Sequence, residues 1–266
     1  KAVKKENPDA VIIGEVWEDA TTKFAYGKRR RYLLGEQLDS VMNYPFADAI
    51  LNFVRFPNAN AFFDSVMSVV ENYPPQVTNV LMNHIGTHDT ERAISRLAGE
   101  VCKGYGRQWQ HEHDRLGEYE YLKGVSMMKI ASLIQYTLPG VPSLYYGDEA
   151  GMQGLRDPFN RECMNWDKPN EELHRWYKRL GEIRMGCKVF AHGEFVPVYS
   201  NHKTIAYLRS DEDSEVLVAV NLDDTDVDIF VGEQWDNSYN FFDAKAENGY
   251  IHLEPTRYTM LTRVKQ

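Results

Sequence analysis

Ala10-Val11-Ile12-Ile13-Gly14-Glu15-Val16-Trp17 is a short β-branched run that follows the breaker Pro8 and ends in a carboxylate and an indole. β-Branched residues suit a pleated backbone, so Ala10–Gly14 is predicted as a strand and Glu15 as the first residue of its exit loop. Three further runs repeat the pattern: Leu38–Tyr44, Val80–Ile85 and Pro142–Tyr146. Helical periodicity lies between them. It covers Phe46–Val54 and Ala61–Asn72, the latter stopped by Pro74 and Pro75. It also covers Tyr119–Thr137, with Leu122, Val125, Met128, Ile130, Leu133 and Ile134 as its apolar side, and Glu172–Met185. Strands alternating with helices imply a parallel sheet, whose active residues stand at the carboxyl ends of the strands.

After about Val189 the texture changes. Seven short β-type runs recur, at Phe195–Tyr199, Thr204–Arg209, Glu215–Asn221, Val227–Val231, Tyr239–Asp243, Tyr250–Leu253 and Tyr258–Val264. Turn clusters such as Asp211–Ser214 and Asp223–Asp226 separate them, the pattern of a small antiparallel sandwich that closes its own core. The fold class is therefore α/β followed by all-β, with domains at 1–188 and 189–266.

Composition narrows the function. The 266 residues are 43% apolar and 26% charged, with a net charge of −9, which excludes a disordered chain and argues against nucleic acid as a partner. The one basic run, Lys28–Arg31, reads as a solvated loop face. No apolar run approaches the roughly 20 residues of a membrane span. Cys102, Cys163 and Cys187 are widely spaced and form no metal-ligand pattern, so buried reduced thiols and a reducing, cytoplasmic setting are expected. The chain begins at Lys1 inside what reads as a helix tail, so a preceding segment is expected.

Two groups carry candidate chemistry. Burial of Glu15 beside Trp17 would favour the protonated carboxyl and suit a proton donor; a strand-end ion pair is the plainer alternative. His88-Asp89, after the third strand, suits a sugar clamp, a metal site or a structural pair; strand-then-turn geometry argues against metal at His84 and His88. Paired carboxyls at strand ends suit glycoside chemistry, in which acid and nucleophile flank an oxocarbenium-like transition state.

At this point the motifs matter together. IIGEVWE (12–18), NHIGTHDTERA (83–93) and LPGVPSLYYGDEAGMQGLRDPFNRECMNWD (138–167) occur in the order found in the α-amylase family of glycoside hydrolases, and the chain resembles its neopullulanase/cyclomaltodextrinase group. The resemblance implies the second half of a (β/α)8 barrel, strands five to eight, followed by the family's terminal β-sandwich. It implies that Glu15 is the general acid/base and Asp89 the third carboxylate, which grips sugar hydroxyls. His88 would bind a hydroxyl, Asp157 and Arg161 would hold a glucose unit on the non-reducing side, and Trp17 and Glu18 would shape the leaving-group side. The implied substrates are α-1,4 and possibly α-1,6 glucosidic bonds of maltooligosaccharides, cyclodextrins, pullulan or starch. No cofactor or metal is assigned.

The family's nucleophile, an Asp in a G-x-R-x-D pattern on strand four, has no counterpart here. Gly154-Leu155-Arg156-Asp157 has the wrong spacing, and Asn79–His84 mimics only the end of an earlier family motif. The resemblance thus implies a chain inactive alone, partnered by a missing amino-terminal half or by itself. A non-catalytic α-glucan-binding module is the alternative. A serine hydrolase is excluded because no G-x-S-x-G elbow occurs.

Overall fold

The computed structural model describes residues 1–35 and 37–265. Four very short strands form the parallel element: β1 (Ile13–Gly14), β2 (Ser40–Val41), β3 (Met82–Asn83) and β4 (Val141–Pro142). Ile13 pairs with Ser40, Met42 bridges to Met82, and Met82 pairs with Val141, all parallel, giving the order β1-β2-β3-β4. Each strand is shorter than the apolar run that predicted it. Val11 is 67% exposed and Ile13 is 44% exposed on β1, and Val141 is 50% exposed on β4. With no strand beyond either edge among the described residues, the outer residues lack the partners that define a ladder.

The second run was predicted as a strand to Tyr44, but helix α1 (Tyr44–Arg55) begins there. Asn43 decides the switch. Its side chain accepts from the Phe46 amide at 3.3 Å and Pro45 occupies the first turn, both strong start signals. Helix α2 (Ala59–Asn72) is capped by Asn58 in the same way. After Tyr73, Pro74 and Pro75 end it and open a new helical turn, Pro75–Thr78. Between β1 and β2 the described residues make no helix. The chain forms a long loop holding a small hairpin, Phe24–Ala25 paired with Lys28–Arg29, so the first half of the basic run is an exposed strand and Arg30 and Arg31 lie in loop.

Three helices follow β3: α3 (Ala93–Ala98), α4 (Arg107–His113) and α5 (Glu118–Thr137). The predicted apolar side of α5 holds except at Leu122, which is 60% exposed. The reason is that only the later turns enter the core, where Ala131, Ser132 and Gln135 are buried alongside Ile130, Leu133 and Ile134. Helix α6 (Glu171–Gly186) is capped by Asn170 and buries Leu173, Trp176, Tyr177 and Leu180.

The carboxy-terminal region forms two antiparallel sheets. Strands β5 (Glu194–Asn201), β6 (Thr204–Ser210), β7 (Ser214–Asn221), β9 (Tyr239–Asn240) and β12 (Arg257–Val264) make the order β9-β12-β7-β6-β5. Strands β8 (Val227–Phe230), β10 (Ala246–Glu247) and β11 (Tyr250–Leu253) make the order β8-β11-β10. Leu217, Ala219, Leu261, Ile229, Ile251 and Trp235 share a core between the sheets. The expectation of a self-contained core needs correction. The opposite face of the larger sheet, with Ile205, Tyr207, Val216, Val218 and Met260, belongs to the same apolar cluster as α1, α2 and α5. Alternating side chains give this sheet two buried faces, and the second is covered by the helices. Arg209, fully buried, crosses that junction by donating to the Thr137 carbonyl at 2.9 Å and the Gly193 carbonyl at 2.8 Å. Burial lowers its guanidinium to about 9.

Asn43 joins helix and sheet: besides its cap it donates to Asn83 Oδ1 at 2.9 Å, and both residues are buried. Asn43→Ala removes a cap and leaves a buried acceptor unpaired. Urea unfolding is expected to show a loss of about 2–4 kcal/mol; a loss below about 1 kcal/mol would mean that this junction carries little.

Candidate active site

The exit loops of β3 and β4 meet. The turn after β3 is self-bonded: the Thr87 amide donates to Thr90 Oγ1 and the Asp89 amide to Thr87 Oγ1, each at 3.2 Å. His88 Nε2 lies 3.3 Å from Asp89 Oδ2. From the β4 loop, Arg161 donates through Nη2 to Asp89 Oδ1 at 3.1 Å and through Nε to the His88 carbonyl at 2.9 Å. Its Nε is also 3.6 Å from Asp157 Oδ1. Four residues singled out in the sequence, His88, Asp89, Asp157 and Arg161, thus form one connected cluster.

Asn160 fixes the clamp from beneath. Fully buried, its amide donates to the carbonyls of His88 at 2.8 Å and Thr90 at 2.7 Å. It stood inside a quoted motif, DPFNR, but its neighbours Asp157 and Arg161 drew the attention because they are charged.

Below the turn lie two buried charged residues the sequence reading missed. Arg92 and Asp148 are both buried. A Cβ on Gly86 would stand 2.6 Å from Asp148 Oδ2, so any larger residue there would displace the carboxylate. Arg92 sits 4.5 Å from the ring centroids of both Tyr145 and Tyr146 and donates to the Tyr146 carbonyl. Burial pushes the Asp148 carboxyl up to about 7, against the pull of Arg92. A buried acid flanked by glycine leaves little one-dimensional signal.

Glu15 departs from its expectation. It is exposed rather than buried, and the Trp17 indole donates to Glu15 Oε1 at 3.0 Å. The desolvating role assigned to Trp17 is therefore replaced by a hydrogen bond, because the loop after β1 has no second wall among the described residues. Trp17 stacks on Tyr44 at 4.0 Å between centroids, and Tyr44 meets His84 edge-on at 4.5 Å. Burial raises the Tyr44 phenol, and the charges of Glu15 and Asp89 raise it further. Tyr44 stands at the exit of β2, between the strands that Glu15 and Asp89 follow; these strands run parallel, so both carboxylates leave the sheet at the same end. Tyr44 was read as a strand end; the rule that exit-loop residues bear function would have found it. Glu18 does not join the cluster; it pairs with Lys23 on its own loop, which lowers its carboxyl.

Of the cysteines, Cys102 is buried, Cys187 partly buried and Cys163 exposed, so the expectation of three buried thiols fails at Cys163, which stands on the open β4 loop. No helix among the described residues is long and apolar enough to cross a membrane.

The family description "Alpha amylase, catalytic domain" matches residues 1–181. The chain belongs to the alpha-amylase family. It is 33% identical over 229 residues to a cyclomaltodextrinase from a Bacillus species, covering 84% of this chain and 35% of that relative. A cyclomaltodextrinase from Thermoanaerobacter pseudethanolicus is 32% identical over 261 residues, covering 96% of this chain and 40% of the relative. Neopullulanase 2 from Thermoactinomyces vulgaris is 31% identical over 227 residues, covering 83% and 33%. A solved cyclomaltodextrinase structure superposes with a TM-score of 0.77 over 99% of this chain and 42% of that one, at 28% identity. The chain spans about two fifths or less of the length of these relatives.

The buried acid yields a pH test. Asp148 holds its proton more tightly folded, at about 7, than its ordinary value of 3.8. Between those values the folded state binds the extra proton, so this residue's contribution falls as pH rises from about 4 to about 7. His84 runs the other way: burial lowers it to about 4, so its contribution grows from about 4 to 6.5. In urea melts, Asp148→Asn is expected to gain stability relative to the parent as pH rises through this window, by about 1.4 kcal/mol for each tenfold difference in proton affinity. A pH-independent difference would show that Asp148 does not titrate there.

Proposed function

We propose that this chain supplies the acid/base and sugar-gripping half of a retaining α-glucan hydrolase acting on maltooligosaccharides, cyclodextrins or pullulan. One observation carries the reading: Asp89 is held by Arg161, beside His88 and Asp157, at the same end of the parallel sheet as Glu15. In this reading β1 to β4 are barrel strands five to eight, residues 1–188 are the second half of the barrel, and 189–266 is a terminal β-sandwich. Gln266 lies outside the described residues.

The chemistry follows from the placement. Glu15 gives its proton to the glycosidic oxygen as the bond from that oxygen to the sugar C1 breaks. An Asp carboxylate from outside this chain bonds to C1 and holds the sugar covalently. Water then attacks C1 while Glu15 takes a proton from it, which releases the sugar and restores both carboxyls. Asp89 and His88 grip ring hydroxyls throughout. Bound sugar and the rest of the barrel supply the walls that Glu15 lacks here.

The open edges support the partner side of the reading. Val11 and Ile13 at one edge and Val141 and Leu144 at the other are exposed apolar residues, and paired strands from a preceding half or from a second copy would cover them. Three unpaired thiols fit a reducing compartment.

The test has two arms. Titration calorimetry of the chain with maltotriose is expected to give binding that Asp89→Asn and Arg161→Ala each weaken roughly tenfold. A reducing-sugar assay on maltoheptaose is expected to give no turnover by the chain alone. A longer polypeptide with the preceding Asp should turn over, and Glu15→Gln should lower its rate by about 10²–10⁴. Binding without turnover in the longer polypeptide would favour a non-catalytic glucan-binding module. Failure to bind maltotriose would sink the reading.

A further inference from the structure

We propose that Arg156, held by Glu91, is a positioning residue that sets where Asp157 meets the glucose unit on the non-reducing side; this rests on the reading above. Arg156 directly precedes Asp157 on the β4 loop, and three of its groups are engaged. Its amide donates to Oε1 of the buried Gln110 at 3.1 Å. Its carbonyl accepts from the Phe159 amide at 3.0 Å, closing a turn that carries Asp157. Its Nε donates to Glu91 Oε1 at 3.0 Å. The Asp157 side chain, by contrast, is 54% exposed and has one ion-pair contact among the described residues, the 3.6 Å approach of Arg161. Its own carboxylate therefore does not anchor it, and its place follows from the backbone that Arg156 fixes.

Glu91 is prepared for this contact. It stands two residues after Asp89, and its side chain is 15% exposed, against 33% for Asp89. The same Oε1 accepts from the Cys102 thiol at 2.8 Å. Burial alone would raise the Glu91 carboxyl, but the hydrogen bonds it accepts from Cys102, from its own amide and from Arg156 outweigh that and hold it below its ordinary value. Glu91 is thus a fixed anion. The β3 turn and the β4 loop are joined by side chains on both sides of Asp157: Glu91 to Arg156 before it, and Asn160 and Arg161 to the turn after it. One tether would leave the loop free to swing. Two leave Asp157 little freedom to lose when a sugar hydroxyl binds, which favours affinity. An ion pair this open adds little to stability, so its effect is on placement.

Calorimetry of the whole chain with maltotriose tests this. Arg156→Met is expected to weaken binding about three- to fivefold, Glu91→Gln by a similar factor, and the two together no more than either alone, because they remove one contact. Arg156→Lys, which keeps a cation for Glu91, should lose less than Arg156→Met. The Arg156 side chain is 55% exposed, so these changes leave the core intact. The deciding measurement is made in an Asp157→Ala background. With that carboxylate gone, Arg156→Met should change affinity by less than about 1.5-fold. An undiminished loss there would mean that Arg156 supports the fold at large, and would overturn the proposal. So would unchanged maltotriose binding by Arg156→Met; if Asp89→Asn and Arg161→Ala still weaken it, the glucan site stands and only the role of Arg156 falls. If the parent does not bind maltotriose, both fail.

Discussion

The contact from Arg161 to Asp89 holds the site together. Asp89 lies on a turn after β3 and Arg161 on a loop after β4, about seventy residues later in the chain. One guanidinium binds the carboxylate and the neighbouring His88 carbonyl, so it fixes both the charge and the backbone that carries it. Both partners are partly exposed, and an ion pair in that setting contributes little to stability alone. Its effect is directional. It acts with Asn160, which is buried and satisfies two carbonyls of the same turn.

Buried charge lies beneath that contact. Arg92 and Asp148 occupy the volume below the turn, where Gly86 leaves room for the carboxylate. A buried acid costs free energy whenever it is charged, and the nearby guanidinium offsets only part of that cost. Polar groups and apolar packing thus meet under the site: Val16, Ile85 and Ala93, beside Glu15, Gly86 and Arg92, belong to the apolar cluster that the helices and the larger sheet share.

Much of this was legible in the residues. The apolar runs located the first three parallel strands and met the fourth only at Pro142, and Asn43-Tyr44-Pro45 carried enough capping chemistry to start α1 even though the apolar pattern ran through it. His88, Asp89, Asp157 and Arg161 were found because charged groups at strand exits are visible in one dimension. Tyr44, Asn160, Arg92 and Asp148 were not, because their importance comes from burial and from partners far away in the chain.

Sequence alone determined the main alternation of strands and helices, the change to an all-β region, and which charged residues stand at the strand exits. Those follow from local propensity and side-chain chemistry, which neighbours in the chain largely decide. Tertiary structure decided that Glu15 is open to solvent, that the larger antiparallel sheet shares its core with the helices, and that Arg161 rather than a neighbour reaches Asp89. Exposure and pairing depend on which distant surfaces meet, and no local window of sequence contains both partners.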